Sequence, residues 1–235
     1  MTDAVRNAIS RGGSQLRVLV AYNIYNRDCG SYSAGGASSP QAYRNWIDGF
    51  ASGIGNSKVA VVLEPDALAH NCGASNPSDN TLSLLKYAVD RLSARPNAYV
   101  YIDAGHPGWL SASEAASRLR TAGIAQAAGF ALNVSNFHST QNNTTYGKQV
   151  SSQVGGKPFV IDTSRNGLGN PDGQWCNPTP RGLGPKSTSN TGDSAVHAWF
   201  WIKRPGESDG TCNGGPSAGQ WYESYAQHLY SNRRF

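Results

Sequence analysis

The sequence predicts an α/β fold of parallel strands in one domain, and three observations support this prediction. Apolar, β-branched runs alternate with segments of helical periodicity, and parallel strands are joined by such helical crossovers. The chain has 235 residues, which suits a single barrel-sized domain, residues 1–235, better than two small ones. Acidic residues follow most of the predicted strands, and the carboxyl ends of parallel strands are where such folds build active sites.

Six strands and six helices are predicted along the chain. The strands, rich in β-branched and aromatic residues, cover residues 17–23, 58–64, 97–103, 127–134, 158–162 and 196–203. The helical patterns cover residues 2–11, 40–53, 80–94, 111–121, 143–154 and 218–230. Ser39 followed by Pro40 is a typical helix start, because proline is preorganised for the first helical position. Residues 163–195 lack periodicity, and we expect a functional loop pinned by Cys176.

The composition excludes several classes of function. Charged residues make up 15% of the chain, and the net charge of +5 is scattered, with no basic stripe interleaved with aromatic residues. We therefore expect no nucleic-acid partner. No run of about 18 apolar residues occurs, so we expect no membrane span. The charged fraction is below the roughly 25% that is usual in soluble domains, and Gly, Ser, Asn and Thr take the place of the missing charged residues. Such a surface suits an extracellular protein.

The chain has four cysteines and no CxxC pair. Zinc needs clustered Cys or His ligands, and the five histidines do not supply that spacing, so we expect no metal site. Two disulfides are favoured, which indicates an oxidising compartment and a secreted protein. Four free buried thiols in a cytosolic protein remain the alternative at this point. The cysteines are Cys29, Cys72, Cys176 and Cys212.

Seven of the fifteen acidic residues follow predicted strands. Their side chains are expected to line a single cleft, because the carboxyl ends of parallel strands meet at one edge of the sheet. Hydrolysis of a glycosidic bond needs one carboxyl that protonates the leaving oxygen and a second group that activates water or attacks the sugar. The chain offers carboxylates for both roles at several strand ends. The seven residues are Asp28, Glu64, Asp66, Asp103, Asp162, Glu207 and Asp209.

Aromatic residues flank these carboxylates and offer flat surfaces to sugar rings. Trp109 and Trp175 lie in polar, Gly-rich loops, which favours a binding role. Trp199 and Trp201 share one face of their strand because side chains alternate along it, and for Trp199 core packing is favoured. Tyr22 directly follows the first predicted strand.

Eight motifs follow one another in order from about residue 10 to the C-terminus: YNIYNRDCG, VVLEPDALA, YIDAGHPGWL, NVSNF, VIDTSRNGLG, WCNPTPRGLG, STSNTGD and WIKRPGESDG. Together they closely resemble the motifs of the glycoside hydrolase family 6 cellulases. The resemblance implies a distorted, incomplete (β/α) barrel of about six parallel strands, in which the family's first strand is absent. It also implies endo-acting hydrolysis of cellulose or soluble β-1,4-glucan chains by single displacement with inversion, without metal or cofactor.

The resemblance implies a role for each matching residue. Asp66 matches the general acid, and a like charge on nearby Asp28 would raise the pKa of Asp66. Asp209 matches the usual candidate for the base, whose identity is debated in this family. Asp103 and Ser33 match supporting positions in the cleft. The residues that match sugar contacts are Tyr22, His106, Trp109, Asn133, Trp175, Lys203 and Glu207.

Three further positions are expected to support the site or to replace a missing group. Asp162, followed by Thr163 and Arg165, is expected to be an ion-pair partner or loop anchor rather than a catalyst. Glu64 is expected either to orient Asp66 or to cap a backbone group. Ala34 occupies the position where family members commonly carry a serine that helps to hold the attacking water, and either Ser33 or a backbone carbonyl is expected to replace it. The disulfides that the resemblance implies are Cys29–Cys72 and Cys176–Cys212.

Short loops after RDC and after PGESDG predict an open cleft and endo action, because long insertions roof the cleft of exo-acting members. A non-catalytic or weakly active carbohydrate-binding protein derived from a cellulase is one alternative. A retaining glycosidase with paired glutamates is another, and the presence of only four glutamates argues against it. An uncovered edge at 17–23 would favour either a homodimer or packing of helix 2–11 across that edge.

Overall fold

The computed structural model describes residues 1–13, 15–72, 76, 79–170 and 172–235. Six parallel strands form one sheet in the order β1 to β6, which curls into a half-barrel surrounded by helices. The predicted fold class, an incomplete barrel of parallel strands, is confirmed. The strands are β1 (Arg17–Ala21), β2 (Val59–Leu63), β3 (Ala98–Asp103), β4 (Gly129–Leu132), β5 (Phe159–Asp162) and β6 (Val196–Phe200). The helices are α1 (Thr2–Ser10), α2 (Pro40–Ile54), α3 (Ala67–His70), α4 (Thr81–Ser93), α5 (Ala112–Thr121), α6 (Thr140–Gln153) and α7 (Glu223–Ser231).

Side-chain alternation along the strands divides the apolar core into two layers. On β2, Val59, Val61 and Leu63 pack into the larger cluster with the surrounding helices. Ala60 and Val62 point the other way, into the smaller cluster inside the curled sheet. The sheet is therefore buried on both faces, as parallel sheets usually are, and its carboxyl edge is left for polar side chains.

The β1 edge of the sheet remains partly open. Among the described residues, β1 pairs only with β2, and the Val20 side chain is 39% exposed. Helix α1 packs mainly on α2: Val5 is buried, and the Thr2 hydroxyl donates to the Gly49 carbonyl (3.1 Å). The Arg17 Nε–H donates to the carbonyl of Ile9 in α1 (2.9 Å). Helix α1 thus braces the start of β1 without shielding Val20 from solvent.

The region 163–195 contains no helix or strand among its described residues, as predicted. Thr188 forms an isolated antiparallel bridge with Trp199, and Trp199 packs against the main core. Trp201 packs into a small cluster beside α7 and donates its Nε1–H to the Pro185 carbonyl (2.9 Å). Trp199 in β6 and Trp201 just after it are thus packing residues. None of the helices in the described parts of the chain is long and apolar enough to cross a bilayer.

Candidate active site

Asp66 lies directly after β2, at the start of the short helix α3. Its backbone is left-handed (φ 69°), an unusual conformation for a residue other than glycine. Its carboxyl is half-buried, and burial, followed by the negative charge of Asp28, raises its pKa to about 7. Asp66 therefore keeps its proton in mildly acidic to neutral solution, as a general acid must.

Asp28 lies in a 3-10 turn (Asp28–Gly30) after β1 and also has a left-handed backbone (φ 56°). The Ser33 backbone N–H donates to its Oδ2 (2.7 Å). Nε2 of His70, at the end of α3, lies 3.5 Å from its Oδ1. Asp28 is thus held by one loop and by the helix that begins just after Asp66.

Asp103 is a buried carboxyl at the end of β3. Its Oδ1 accepts hydrogen bonds from the backbone N–H groups of Asp66 (2.9 Å) and Gly105 (3.2 Å). Burial, followed by the charge of Asp66, raises its pKa well above the usual range. Asp103 therefore fixes the backbone of Asp66.

Asp209 lies on the loop after β6 and is buried against two cations. Arg165 Nη1 donates to its Oδ2 (2.8 Å), and Lys203 Nζ lies 3.8 Å from its Oδ1. The Asn177 backbone N–H also donates to Oδ2 (3.1 Å). Burial, followed by the charge of Arg165, lowers the pKa of Lys203. Two cations and one backbone N–H thus hold the Asp209 side chain in place.

Glu207 lies on the same loop and faces two cations. Its Oε2 is 3.9 Å from Lys203 Nζ, and its Oε1 pairs with Arg204. Lys203 therefore bridges the carboxylates of Glu207 and Asp209. Such an arrangement of fixed charges offers hydrogen-bonding groups to sugar hydroxyls.

Tyr22 directly follows β1 and lies close to the acidic pair. Burial, followed by the charges of Asp66 and Asp28, raises the pKa of its hydroxyl. The Arg27 guanidinium lies over its ring at 4.6 Å and donates to its carbonyl (2.8 Å). The carbonyl of Ser33 accepts from Arg27 Nε (2.8 Å). Ser33 thus supports the turn through its backbone carbonyl and N–H.

Three histidine rings, from the segments after β2, β3 and β4, cluster around Trp109. His106 stacks on His138 (4.3 Å between ring centroids, 22°) and lies 5.3 Å from Trp109. His70 meets Trp109 edge-on at 4.7 Å. Burial, followed by the neighbouring His138, lowers the pKa of His106 to about 4. His106 is therefore neutral above mildly acidic pH and suits contact with an uncharged sugar.

Trp175 lies in the long loop, 45% exposed, with its ring edge-on to Tyr32 (5.5 Å). Asn133 differs from the expectation of a sugar contact. It is buried, its Nδ2 donates to the Asp162 carbonyl (2.8 Å), and its Oδ1 accepts from the His138 backbone N–H (3.0 Å). Its amide is occupied by the loop after β4, and we assign it no sugar contact.

Asp162 and Glu64 both bind backbone groups. Asp162 accepts hydrogen bonds from backbone N–H groups of three segments, as predicted for a loop anchor, and burial raises its pKa. Glu64 accepts from the backbone N–H groups of Asn23 and Ile24 (both 2.9 Å), and burial raises its pKa to about 8. Glu64 therefore caps the segment that leads from Tyr22 towards Asp28.

Both implied disulfides are present. Cys29 is bonded to Cys72 and Cys176 to Cys212, with Cα–Cα distances of 5.6 and 6.0 Å. The first bond ties the turn of Asp28 to the segment after α3. The second ties the long loop to the loop of Asp209.

Four supporting residues were missed by sequence reasoning: Arg165, His70, His138 and Asn177. Arg165 was considered only as a partner for Asp162, yet it pairs with Asp209, 44 positions away. Asn177 is buried and donates through Nδ2 to the carbonyls of Gly210 (2.8 Å) and Cys212 (3.1 Å). The available signal for Arg165 and Asn177 was their position inside motifs that also carry expected site residues, whereas His70 and His138 directly follow such motifs.

Comparison with known proteins agrees with this geometry. A family model described as "Glycosyl hydrolases family 6" matches residues 1–233. Endoglucanase A of Cellulomonas fimi is 46% identical over 235 residues, covering 100% of this chain and 51% of that protein. Endoglucanase 1 of Streptomyces halstedii is 46% identical over 229 residues, covering 93% and 70%. The chain thus spans about half of the length of the first relative and 70% of the second.

Solved structures give the same result. The structure of an endoglucanase from Mycobacterium tuberculosis, in complex with methyl-cellobiosyl-4-deoxy-4-thio-β-D-cellobioside, superimposes with a TM-score of 0.94 at 45% identity. The match covers 98% of this chain and 81% of that one. An endoglucanase of Humicola insolens gives a TM-score of 0.86 at 28% identity, covering 99% and 83%. The chain belongs to glycoside hydrolase family 6.

Proposed function

We propose that this chain is an endo-acting β-1,4-glucanase that hydrolyses cellulose and soluble β-glucans with inversion at the anomeric carbon. The observation that carries the proposal is Asp66, whose pKa is raised to about 7 beside the carboxylate of Asp28. The family relationship and the endoglucanase names of its relatives support the same reaction. No group beyond these side chains and water is invoked.

In the proposed mechanism, Asp66 donates its proton to the glycosidic oxygen as the bond to the anomeric carbon breaks. A water molecule attacks the opposite face of the sugar, and its proton passes to Asp209, directly or through further water. Lys203 and Arg165 hold the Asp209 side chain in place through ion pairs. In addition to burial, the charge of Asp28 raises the pKa of Asp66. This favours the protonated form of Asp66 before the reaction and its reprotonation afterwards.

The proposed sugar contacts flank these carboxyls. Burial and then the charges of Asp66 and Asp28 raise the pKa of Tyr22, whose ring lies near the acidic pair. We therefore assign Tyr22 to the subsite where the bond is cleaved. His106 and Trp109 provide one platform, and exposed Trp175 provides the other. Lys203 and Glu207 bind sugar hydroxyls. A non-catalytic carbohydrate-binding protein would not need the raised pKa of Asp66.

The test follows product anomers and chain length together. Proton NMR of the first product should show the α anomer, since inversion of a β-linkage yields it. The viscosity of a soluble derivatised cellulose should fall early, ahead of reducing-end release, because an open cleft admits internal segments. An initial β anomer would contradict inversion, and steady cellobiose release with little viscosity loss would contradict endo action.

We also propose that the protein is secreted and forms a homodimer over the β1 edge. The two disulfides support an oxidising compartment. Val20 is exposed, and on one side β1 pairs with no other described strand. Both features support association through this edge. Sedimentation should show a dimer that Val20→Lys converts to monomer, while wild type that remains monomeric at high concentration would exclude the dimer.

A further inference from the structure

An open groove of about 520 Å³ lies on the outer side of the loop that carries Asp209. It is separate from the residues of the proposed mechanism and falls within the size range of ligand sites. Apolar and aromatic side chains form most of its wall, with one amide and two hydroxyls. The groove is lined by Leu183, Pro205, Trp221, Ala226, Gln227, Tyr230 and Ser231.

Trp221 is the largest element of this groove and is 62% exposed. Its ring is seated on Gly206, where an added Cβ would lie 2.4 Å from the ring and 2.7 Å from the Ala226 Cβ. Trp221 forms an isolated antiparallel β-bridge with Glu207. The N–H of the next residue, Tyr222, donates to the Gly206 carbonyl (2.8 Å). The indole is thus held in place before any ligand arrives, which lowers the entropic cost of binding.

Tyr230 provides a second exposed ring at the same groove, 58% exposed. The Arg233 guanidinium lies over this ring at 4.2 Å, which restrains it. Gln227, one helical turn before Ser231 on α7, adds an amide to the lining of the groove. Restrained aromatic faces next to amide and hydroxyl groups suit a ligand that is apolar on one face and hydroxylated at its rim.

None of the seven lining residues carries a formal charge, although the chain as a whole has a net charge of +5. An anionic ligand would be expected to select lysine or arginine in the lining. A β-1,4-glucan is neutral, its pyranose rings present axial C–H groups to an aromatic face, and its equatorial hydroxyls point outwards. We propose that this groove is a second glucan-binding site, distinct from the cleft, that holds the enzyme on the polymer surface.

The proposal rests on the proposed function, and its test separates the two. Binding to microcrystalline cellulose and kcat/KM on soluble cellopentaose should be measured for Tyr230→Ala, Gln227→Ala and Trp221→Phe. Loss of the Tyr230 ring should weaken cellulose binding about three- to tenfold, and the losses for Gln227→Ala and Trp221→Phe should be smaller. In all three variants kcat/KM on cellopentaose should stay within about twofold, because the cleft is unchanged. Tyr99→Ala, which removes an exposed tyrosine on β3 (42% exposed), is the matched control and should bind as wild type.

Each outcome decides one question. If wild type hydrolyses cellopentaose and all three groove variants bind cellulose like wild type, the second site does not exist. If Tyr99→Ala weakens binding equally, the effect is not specific to the groove and the proposal fails. If wild type neither binds nor hydrolyses glucans, the proposed function itself fails. If the groove variants change the sedimentation coefficient, the groove is occupied by a second copy of the chain, which also overturns the proposal.

Discussion

The protonation of Asp66 depends on burial and on one neighbouring charge, and mutation can separate these causes. Burial is the larger influence and Asp28 the second, and both raise the pKa of Asp66. Asp28 in turn is placed by the Ser33 N–H and by His70. The left-handed backbones of Asp28 and Asp66 are also unusual for residues with side chains, and such conformations concentrate at functional sites.

Replacing Asp28 with Asn should move the basic limb of the pH–rate profile to lower pH. A general acid is active only when protonated, so activity falls as pH rises through the pKa of Asp66, about 7. Removing the like charge lowers that pKa, and the loss of activity then begins at lower pH. The pH dependence of kcat/KM measures this shift, and Asp90→Asn, at an exposed ion pair with Lys86, is the control. If the basic limb of the profile does not move in Asp28→Asn, Asp28 does not influence the protonation of Asp66.

Sequence reasoning identified the acidic residues but not their partners. Asp66, Asp103 and Asp162 could be placed at strand ends because each directly follows an apolar run. The pairing of Arg165 with Asp209 could not be predicted, because 44 positions separate them and their contact depends on how two long loops fold together.

At the scale of elements, the strands were predicted within a few residues, whereas two helix starts were not. Helix α6 begins at Thr140 rather than 143, because the Ser139 hydroxyl caps it by accepting from the Asn142 N–H (3.2 Å). Helix α7 begins at Glu223 rather than 218. The preceding segment bonds instead to the Asp209 loop, as in the bond from the Ser208 N–H to the Gln220 carbonyl (2.8 Å). Helix α3 has four residues and is too short for periodicity to reveal.

The two disulfides brace different halves of the site, and removing them should have separable effects. The sequence separations are 43 for Cys29–Cys72 and 36 for Cys176–Cys212. Replacing either pair with serine should therefore lower the free energy of unfolding by a similar amount, about 3 to 4 kcal/mol in the chain-entropy model. Thermal or denaturant unfolding measures this loss.

The kinetic consequences should differ between the two pairs. Loss of Cys29–Cys72 frees the turn of Asp28, so the basic limb of the pH profile should move to lower pH. Loss of Cys176–Cys212 loosens the loops of Asn177 and Asp209, so kcat should fall with the limb unchanged. Equal shifts of the limb in both variants would show that the disulfides do not act on separate halves.

At the scale of the whole molecule, the curled parallel sheet gathers side chains from most of its strands at one edge. Tyr22 and Asp28 come from the segment after β1, Asp66 follows β2, and Asp103 ends β3. The loop after β6 brings Asp209. The sequence predicted this convergence, since parallel strands must share their carboxyl edge, but not which side chains would instead anchor backbone groups, as Glu64 does.

The most direct test of the account compares leaving groups in Asp66→Ala. Without its general acid, the enzyme should hydrolyse unactivated cello-oligosaccharides more slowly by a factor on the order of 100 or more. A substrate whose leaving group departs without protonation, such as an aryl cellobioside with a nitrophenol, should lose much less. Folding of the variant is checked by its thermal unfolding. A large gap between the two losses is the result that the account predicts, and equal losses on both substrates would contradict the role of Asp66 as general acid.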